Sequence, residues 1–227
     1  GGRAGWIANV LSAEDKDYND FVAFEKRLLN HKKWYFADKS FPYVSQLGTK
    51  WELIGPFDNA GKVNKSFHIE DRSLAKKYEV AKEVEGGTVI LKHWFGDIIE
   101  GAIANPTKNT TYYARTKIWS DVAGLKPFWV DFNNLSRSYL TDTPKLDTWD
   151  NKGSQAYVNG ERIQPAKWRN AGQQGQSEVP LIDEGYSYRA PTMINLKKGW
   201  NEFLLKLPFA EFRGHTWDNP SKWMFTF

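Results

Sequence analysis

The residues that could do chemistry are mostly acids. Asp131, Asp142, Asp147, Asp150, Asp183 and Glu184 are all available. Inverting glycosidic hydrolysis needs two carboxyl groups about 6.5–9.5 Å apart. With so many acids, a chance pair at that distance arises in any fold, so their number alone does not make an enzyme. His31, His68, His93 and His215 stand singly, without a second His or carboxylate at HxxxH-like spacing. The sequence therefore predicts no metal site. His31 reads as a helix-surface residue. His93, beside Trp94 in an apolar strand, reads as buried or facing a groove. No Ser sits in a Gly-x-Ser-x-Gly elbow and no glycine loop is shaped for phosphate. Gly172 and Gly175 flank Gln173 and Gln174 as a flexible loop.

A second chemistry is recognition of hydroxyl-rich ligands. It needs an aromatic platform and fixed amide, carboxylate or guanidinium groups. Asn133 and Arg137 leave a strand, Trp149 and Asp150 introduce a hairpin, and Trp168, Tyr186 and Arg189 lie in a long loop. If these loops gather at one end of the fold, they form a carbohydrate-binding cluster. The alternative is structural: Arg137, Asp150, Asp183 and Arg189 pin the long loops as ion pairs, while Trp149 and Trp168 cap the core.

The elements that must position these residues fall into two regions. In 1–47, Asp17 to Phe36 reads as an amphipathic helix, with Phe21, Phe24, Leu28 and Tyr35 on one face at spacings of 3, 4 and 7. Asp15, Asp17 and Asp20 suit the positive end of its dipole, and Phe41-Pro42-Tyr43 stops it. Such a helix needs a partner. From 48 onward the pattern is β. Strands are expected at Lys50 to Phe57 (ending in a Gly-Pro turn), Thr88 to Trp94, Tyr112 to Trp119, Lys126 to Asn133, Thr192 to Leu196, Trp200 to Leu207 and Trp223 to Phe227. Asn159-Gly160 supplies the two positive-φ residues of a tight type I′ hairpin turn. Short strands joined by Gly, Pro and Asn loops predict a mainly β sandwich or jelly roll. Loops 58–76 and 166–190 are long, as functional loops often are.

Composition narrows the classes. The 227 residues suit one large domain, or one domain plus an appendage. A mean hydropathy of −0.62 is that of a globular chain in water, and no apolar run nears the ~20 residues that span a bilayer. The net charge of +4 comes from 31 basic and 27 acidic residues with interspersed signs, which speaks against nucleic-acid binding. With no Cys, disulfides and thiolate metal sites are excluded. The chain shows no signal peptide, which says nothing of export if it is part of a longer protein. There are 11 Trp. Roughly two-thirds of the aromatics are expected in the core, and exposed ones are free to stack on sugars.

Two resemblances follow. Trp149 to Glu161, with Val158-Asn159-Gly160 at its turn, resembles the hairpin of galactose-binding-like jelly rolls, modules attached to many glycoside hydrolases. Glu25 to Phe36, Phe41-Pro42-Tyr43, Trp51 to Phe57, Asn133 to Ser138, Pro180 to Arg189 and Lys222 to Phe227 resemble the C-terminal region of glycoside hydrolase family 20, the β-N-acetylhexosaminidases of Bacteroides-like bacteria. The resemblance covers nearly the whole chain, but its runs are not catalytic motifs. It implies that 1–47 is the tail of an upstream catalytic (β/α)₈ barrel and 48–227 a galactose-binding-like jelly-roll β-sandwich. That family works by an Asp that orients the substrate's acetamido group and an adjacent Glu acid, on a barrel strand. Here Glu14-Asp15 precedes the helix, while Glu70-Asp71 and Asp183-Glu184 lie in loops. No catalytic residue carries over.

The resemblance thus implies a non-catalytic accessory module that stabilises the catalytic domain of the same polypeptide. The alternatives are a module that binds N-acetylhexosamine glycans and, more weakly, an independent glycosidase. It also implies a secreted or periplasmic location and no membrane insertion. A structural Ca²⁺ is compatible with the fold family, but the sequence assigns it no ligands.

Overall fold

The computed structural model describes residues 49–71, 77–128, 130–133, 143–165, 167–168, 171–173, 181–183, 186–187, 192–211 and 222–227, with backbone alone for 181–183 and 186–187. The expected helical segment, 1–47, lies outside the described residues. The described chain is mainly β. The longest strands are β1 (Lys50–Asp58), β4 (Thr110–Ser120) and β12 (Gly199–Phe209). Between them lie β2 (Val80–Glu85), β3 (Thr88–His93), β5 (Gly124–Phe128), β6 (Asp131–Phe132), β7 (Gln155–Val158), β8 (Glu161–Arg162), β9 (Leu181–Asp183), β10 (Tyr186–Ser187) and β11 (Thr192–Leu196), and β13 (Lys222–Thr226) follows. The one helical element among the described residues is a 3-10 turn, His68–Glu70. No described helix is long and apolar enough to cross a membrane.

A six-stranded antiparallel sheet runs in the order β2-β1-β4-β12-β7-β8. The remaining strands form β3-β13-β6, β11-β5 and β10-β9. None of these sheets closes on itself. The strand pairs are nested: β3 with β13, β4 with β12, and β5 with β11. The β4–β12 ladder is in unbroken register from Gly199↔Ser120 to Phe209↔Thr110. The core follows from parity, since alternate residues share a face. Trp51, Leu53, Tyr112, Ala114, Phe203, Leu205 and Leu207 leave one side of the six-stranded sheet and meet Val89, Leu91, Phe132, Ile194, Leu196, Trp223 and Phe225. Two layers around one core are consistent with a β-sandwich.

Aromatic packing dominates that core. Trp51 lies edge-on to Phe225 at 5.0 Å and to Phe227 at 5.2 Å, and its indole N–H reaches Gly86 O at 3.1 Å. Truncation of such a residue to Ala costs about 3–5 kcal/mol. The Asn159-Gly160 hairpin forms as expected: φ is 53° and 82° at the two positions, with Val158 paired to Glu161.

Two expectations need correcting, and one strand was not anticipated. β1 does not end in a turn at Gly55-Pro56. It runs on to Asp58 through a register irregularity between Ile54 and Phe57, a bulge that accommodates the N–H that Pro lacks. The expected strand from Lys126 to Asn133 is two strands with different partners: β5 pairs with β11 and β6 with β13. β2 was hidden because Val80-Ala81-Lys82-Glu83-Val84-Glu85 is largely charged, which suits a sheet edge.

Candidate functional site

The outer face of the six-stranded sheet has two unlike ends. One is covered by the residues that follow β1. Asp58 and Asn59 start this loop by accepting backbone N–H groups two residues on: Ala60 N–H to Asp58 Oδ1 at 2.7 Å and Gly61 N–H to Asn59 Oδ1 at 2.9 Å. The loop then lays Phe67 and Ile69, with Phe57 and Tyr78, over Ile54, Tyr113 and Leu204. Phe57 and Phe67 stack tilted at 5.2 Å.

Beneath this cover Lys206, only 1% exposed, points outward from β12. Its ammonium donates to Lys65 O at 2.6 Å and pairs with Glu70 Oε1 at 2.7 Å. Tyr113 OH donates to Glu70 Oε1, and Tyr157 OH to Glu70 Oε2 at 3.0 Å. Burial alone would raise the Glu70 pKa. The Lys206 and Tyr113 hydrogen bonds, the Lys206 charge and the Tyr157 hydroxyl outweigh it and hold the carboxyl below its ordinary value. Burial, reinforced by Glu70, pushes both Tyr113 and Tyr157 far above the usual phenol range. The cluster is a locked ion pair with two protonated phenols at neutral pH. A general acid needs the reverse, a carboxyl raised toward neutrality.

Among the described residues, none covers the other end of the face. Trp119 and Trp200 are direct cross-strand partners on β4 and β12, 53% and 59% exposed, with ring centroids 5.5 Å apart at 77°. Trp119 donates its indole N–H to Asp121 Oδ1 at 2.9 Å, which fixes its orientation. Next along the same face Lys117 pairs in register with Glu202. Beyond them Arg115 grips Glu52 Oε2 through Nε at 2.8 Å and Nη2 at 2.7 Å, with Glu83 directly opposite Glu52 on β2. Among the described residues these groups, with Thr49 to Trp51, Thr116 and Ile118, line an open groove of about 960 Å³. Its charged lining is balanced: Lys50, Arg115 and Lys117 against Glu52, Glu83 and Glu202.

The loop residues expected to bind sugar are placed differently. Asn133 and Asp150 do meet, with Asn133 Nδ2 donating to Asp150 Oδ2 at 2.7 Å, but both are buried. Asn133 Oδ1 accepts Met224 N–H at 3.1 Å, and Asp150 Oδ1 accepts Lys152 N–H at 2.9 Å and Ser154 N–H at 3.0 Å. These bonds tie β6 and the hairpin approach to β13. Trp149 is 1% exposed and edge-on to Phe132 at 5.7 Å. Trp168 is buried, its indole N–H on Thr148 O at 2.8 Å. In these four the geometry favours the structural alternative: the indoles cap the core and the polar groups are taken up internally. Arg137 and Arg189 lie outside the described residues, as does the side chain of Tyr186. So do Asp142, Glu184 and the side chain of Asp183. His93 is buried and accepts Phe95 N–H at 3.0 Å through Nδ1.

Among the described residues no three His, Asp or Glu side chains gather as metal ligands. Asp150, buried among the described acids, accepts N–H donors on both oxygens.

Sequence reasoning missed both ends of the outer face, although each left a trace. Trp119 has the parity of Arg115 and Lys117, and Trp200 that of Glu202, so both indoles belong to the polar face. Lys206 is the lone charge in the apolar run Phe203 to Phe209. No protein-family model matches the sequence. No curated protein matches it significantly.

Proposed function

We propose that this chain is a non-catalytic accessory part of a glycoside hydrolase of the β-N-acetylhexosaminidase kind, acting outside the cytoplasm and packed on a catalytic barrel in the same polypeptide. The resemblance of the runs from Glu25 to Phe36, Trp51 to Phe57 and Lys222 to Phe227 supports the context. The nested pairing of β3–β13, β4–β12 and β5–β11 supports the finer fold, a jelly roll of the galactose-binding-like kind: it is the pattern left when one long antiparallel ribbon rolls up.

The observation that carries the non-catalytic reading is the state of Glu70. Its carboxylate is held ionised by Lys206 and two phenols. That is the electrostatics of a fastener. Asp150, saturated by N–H donors, fits the same reading.

The test compares the parent polypeptide with and without residues 48–227. The reading expects a lower melting temperature or loss of solubility on deletion, and no hydrolysis of an aryl β-N-acetylhexosaminide by the 227-residue chain alone. Unchanged stability on deletion, or turnover by the chain alone, overturns it.

A further inference from the structure

The geometry points to a glycan-binding groove on the open end of the six-stranded sheet, built on Trp119 and Trp200 and selecting neutral pyranose chains. The inference rests on the reading of the chain as part of a carbohydrate-active enzyme, and it assigns the ligand to residues other than the buried loop cluster.

Three observations carry it. First, two half-exposed tryptophans lie side by side on a rigid ladder, and contiguous exposed apolar surface marks an interaction site where a single exposed residue does not. Both sit on long strands, and the Asp121 bond holds Trp119 in place. A platform that is ordered in advance loses little conformational entropy on binding. The rings meet at 77°, so they present one indole face and one indole edge rather than a flat shelf. That shape suits the apolar face of a sugar ring lying against a wall.

Second, the polar groups beside the indoles alternate donors with acceptors. Lys117 faces Glu202 in register, and Arg115 is clamped on Glu52. A hydroxyl both donates and accepts, so it can bridge such pairs, whereas a phosphate or sulfate can only accept. Third, the charged lining among the described residues is balanced, three cations against three carboxylates, and these groups generate no net field for a polyanion. A groove of about 960 Å³ holds several pyranose units.

The experiment is calorimetric titration of the 227-residue chain with a panel of neutral oligosaccharides, trimers to hexamers of β- and α-linked hexoses and N-acetylhexosamines, beside a sulfated hexasaccharide. The expected result is saturable binding of at least one neutral glycan with Kd of about 1 mM or tighter. Affinity should fall at least about tenfold in Trp119→Ala and in Trp200→Ala. Both variants should keep the circular dichroism spectrum of the parent and lose no more than about 6 °C in melting temperature, because both side chains are more than half exposed. Arg137→Ala should bind as the parent does. Three results overturn the inference: no binding across the panel, equal binding by both Trp variants, or preference for the sulfated ligand. If the panel is silent and Trp119→Ala instead destabilises the parent polypeptide, the groove is a docking face for the neighbouring domain. Failure of binding leaves the accessory reading intact, since that reading stands on the deletion experiment.

Discussion

The two ends of one sheet face reverse the usual partition of side chains. β4 carries Tyr113, fully buried, at one end and Trp119, 53% exposed, at the other. β12 carries Lys206, 1% exposed, and Trp200, 59% exposed. A lysine is inside and tryptophans are outside, on the same strands and the same face. Lysine is almost never fully buried without a partner. Here the loop after β1 brings the partner, Glu70, together with the backbone oxygen of Lys65. The covered end shows burial enforced by a loop. The open end has no described segment to cover it, and its strands supply indoles and balanced charges instead. The contrast separates a device for holding a loop from a surface kept available.

The strongest way to break the contrast is to remove the partner that makes Lys206 tolerable. Glu70→Ala leaves the ammonium buried with a single described backbone acceptor, and two phenols without theirs. Breaking a buried pair from one side costs about 3–5 kcal/mol. Urea unfolding should show that loss, and a loss below about 1 kcal/mol would mean that the loop simply peels away. The same pair gives a pH signature. The folded pKa of Glu70 lies below its unfolded value, so its contribution is complete above about pH 4.3 and disappears as the pH falls through the depressed folded value. Acid unfolding of the parent should therefore be steeper below about pH 4.3 than that of Glu70→Gln. At the alkaline side the signs reverse. Tyr113 and Tyr157 have raised pKa values, so their contribution is whole below about pH 10 and is lost as the pH climbs beyond it. Tyrosinate absorbance should lag behind that of the unfolded chain. Coincident titration would reject the buried phenol pair.

How far the sequence discloses these features depends on the range of the interaction that makes them. Asn159-Gly160 is legible because a two-residue turn is decided by its own two φ angles. β4 and β12 are legible because one parity carries apolar residues in each, Tyr112, Ala114 and Ile118 in β4 and Phe203, Leu205, Leu207 and Phe209 in β12. The Glu70–Lys206 pair is not, because residues far apart in sequence meet only after β1, β4 and β12 have assembled. The cluster of Asn133, Trp149, Asp150 and Trp168 shows the converse: all four are buried. Those residue types suit a sugar site, but type does not say which side of a sheet a side chain takes. Phe132 and Met224 draw them inward. Trp119 and Trp200 were legible in principle from phase alone. High aromatic content made the core the default destination for any single tryptophan.

A milder perturbation sharpens the covered end. Lys206→Met replaces the ammonium with an apolar chain of similar length, and Glu70 keeps two phenol donors near the surface. The cost should be about 1–2 kcal/mol, well below that of Glu70→Ala. A cost equal to or above that of Glu70→Ala would place the energy of the cluster in the lysine and its Lys65 contact rather than in avoidance of an orphaned charge.

The smallest effect belongs to the open end, and it is the most diagnostic. If Trp119 and Trp200 were structural, truncation would cost a good part of the several kcal/mol that a buried tryptophan is worth. Each instead keeps more than half its surface in water, and their mutual contact is an edge-to-face pair worth about 0.5–1.5 kcal/mol beyond burial. Trp119→Ala and Trp200→Ala should each destabilise the chain by under about 1.5 kcal/mol, and the double variant by less than the sum, because the shared contact is lost only once. Trp51→Ala, on the other face of the same sheet, sets the scale at about 3–5 kcal/mol. If the exposed pair proved as costly as Trp51, the two ends of the face would be doing the same work, and the open groove would be part of the fold's own support.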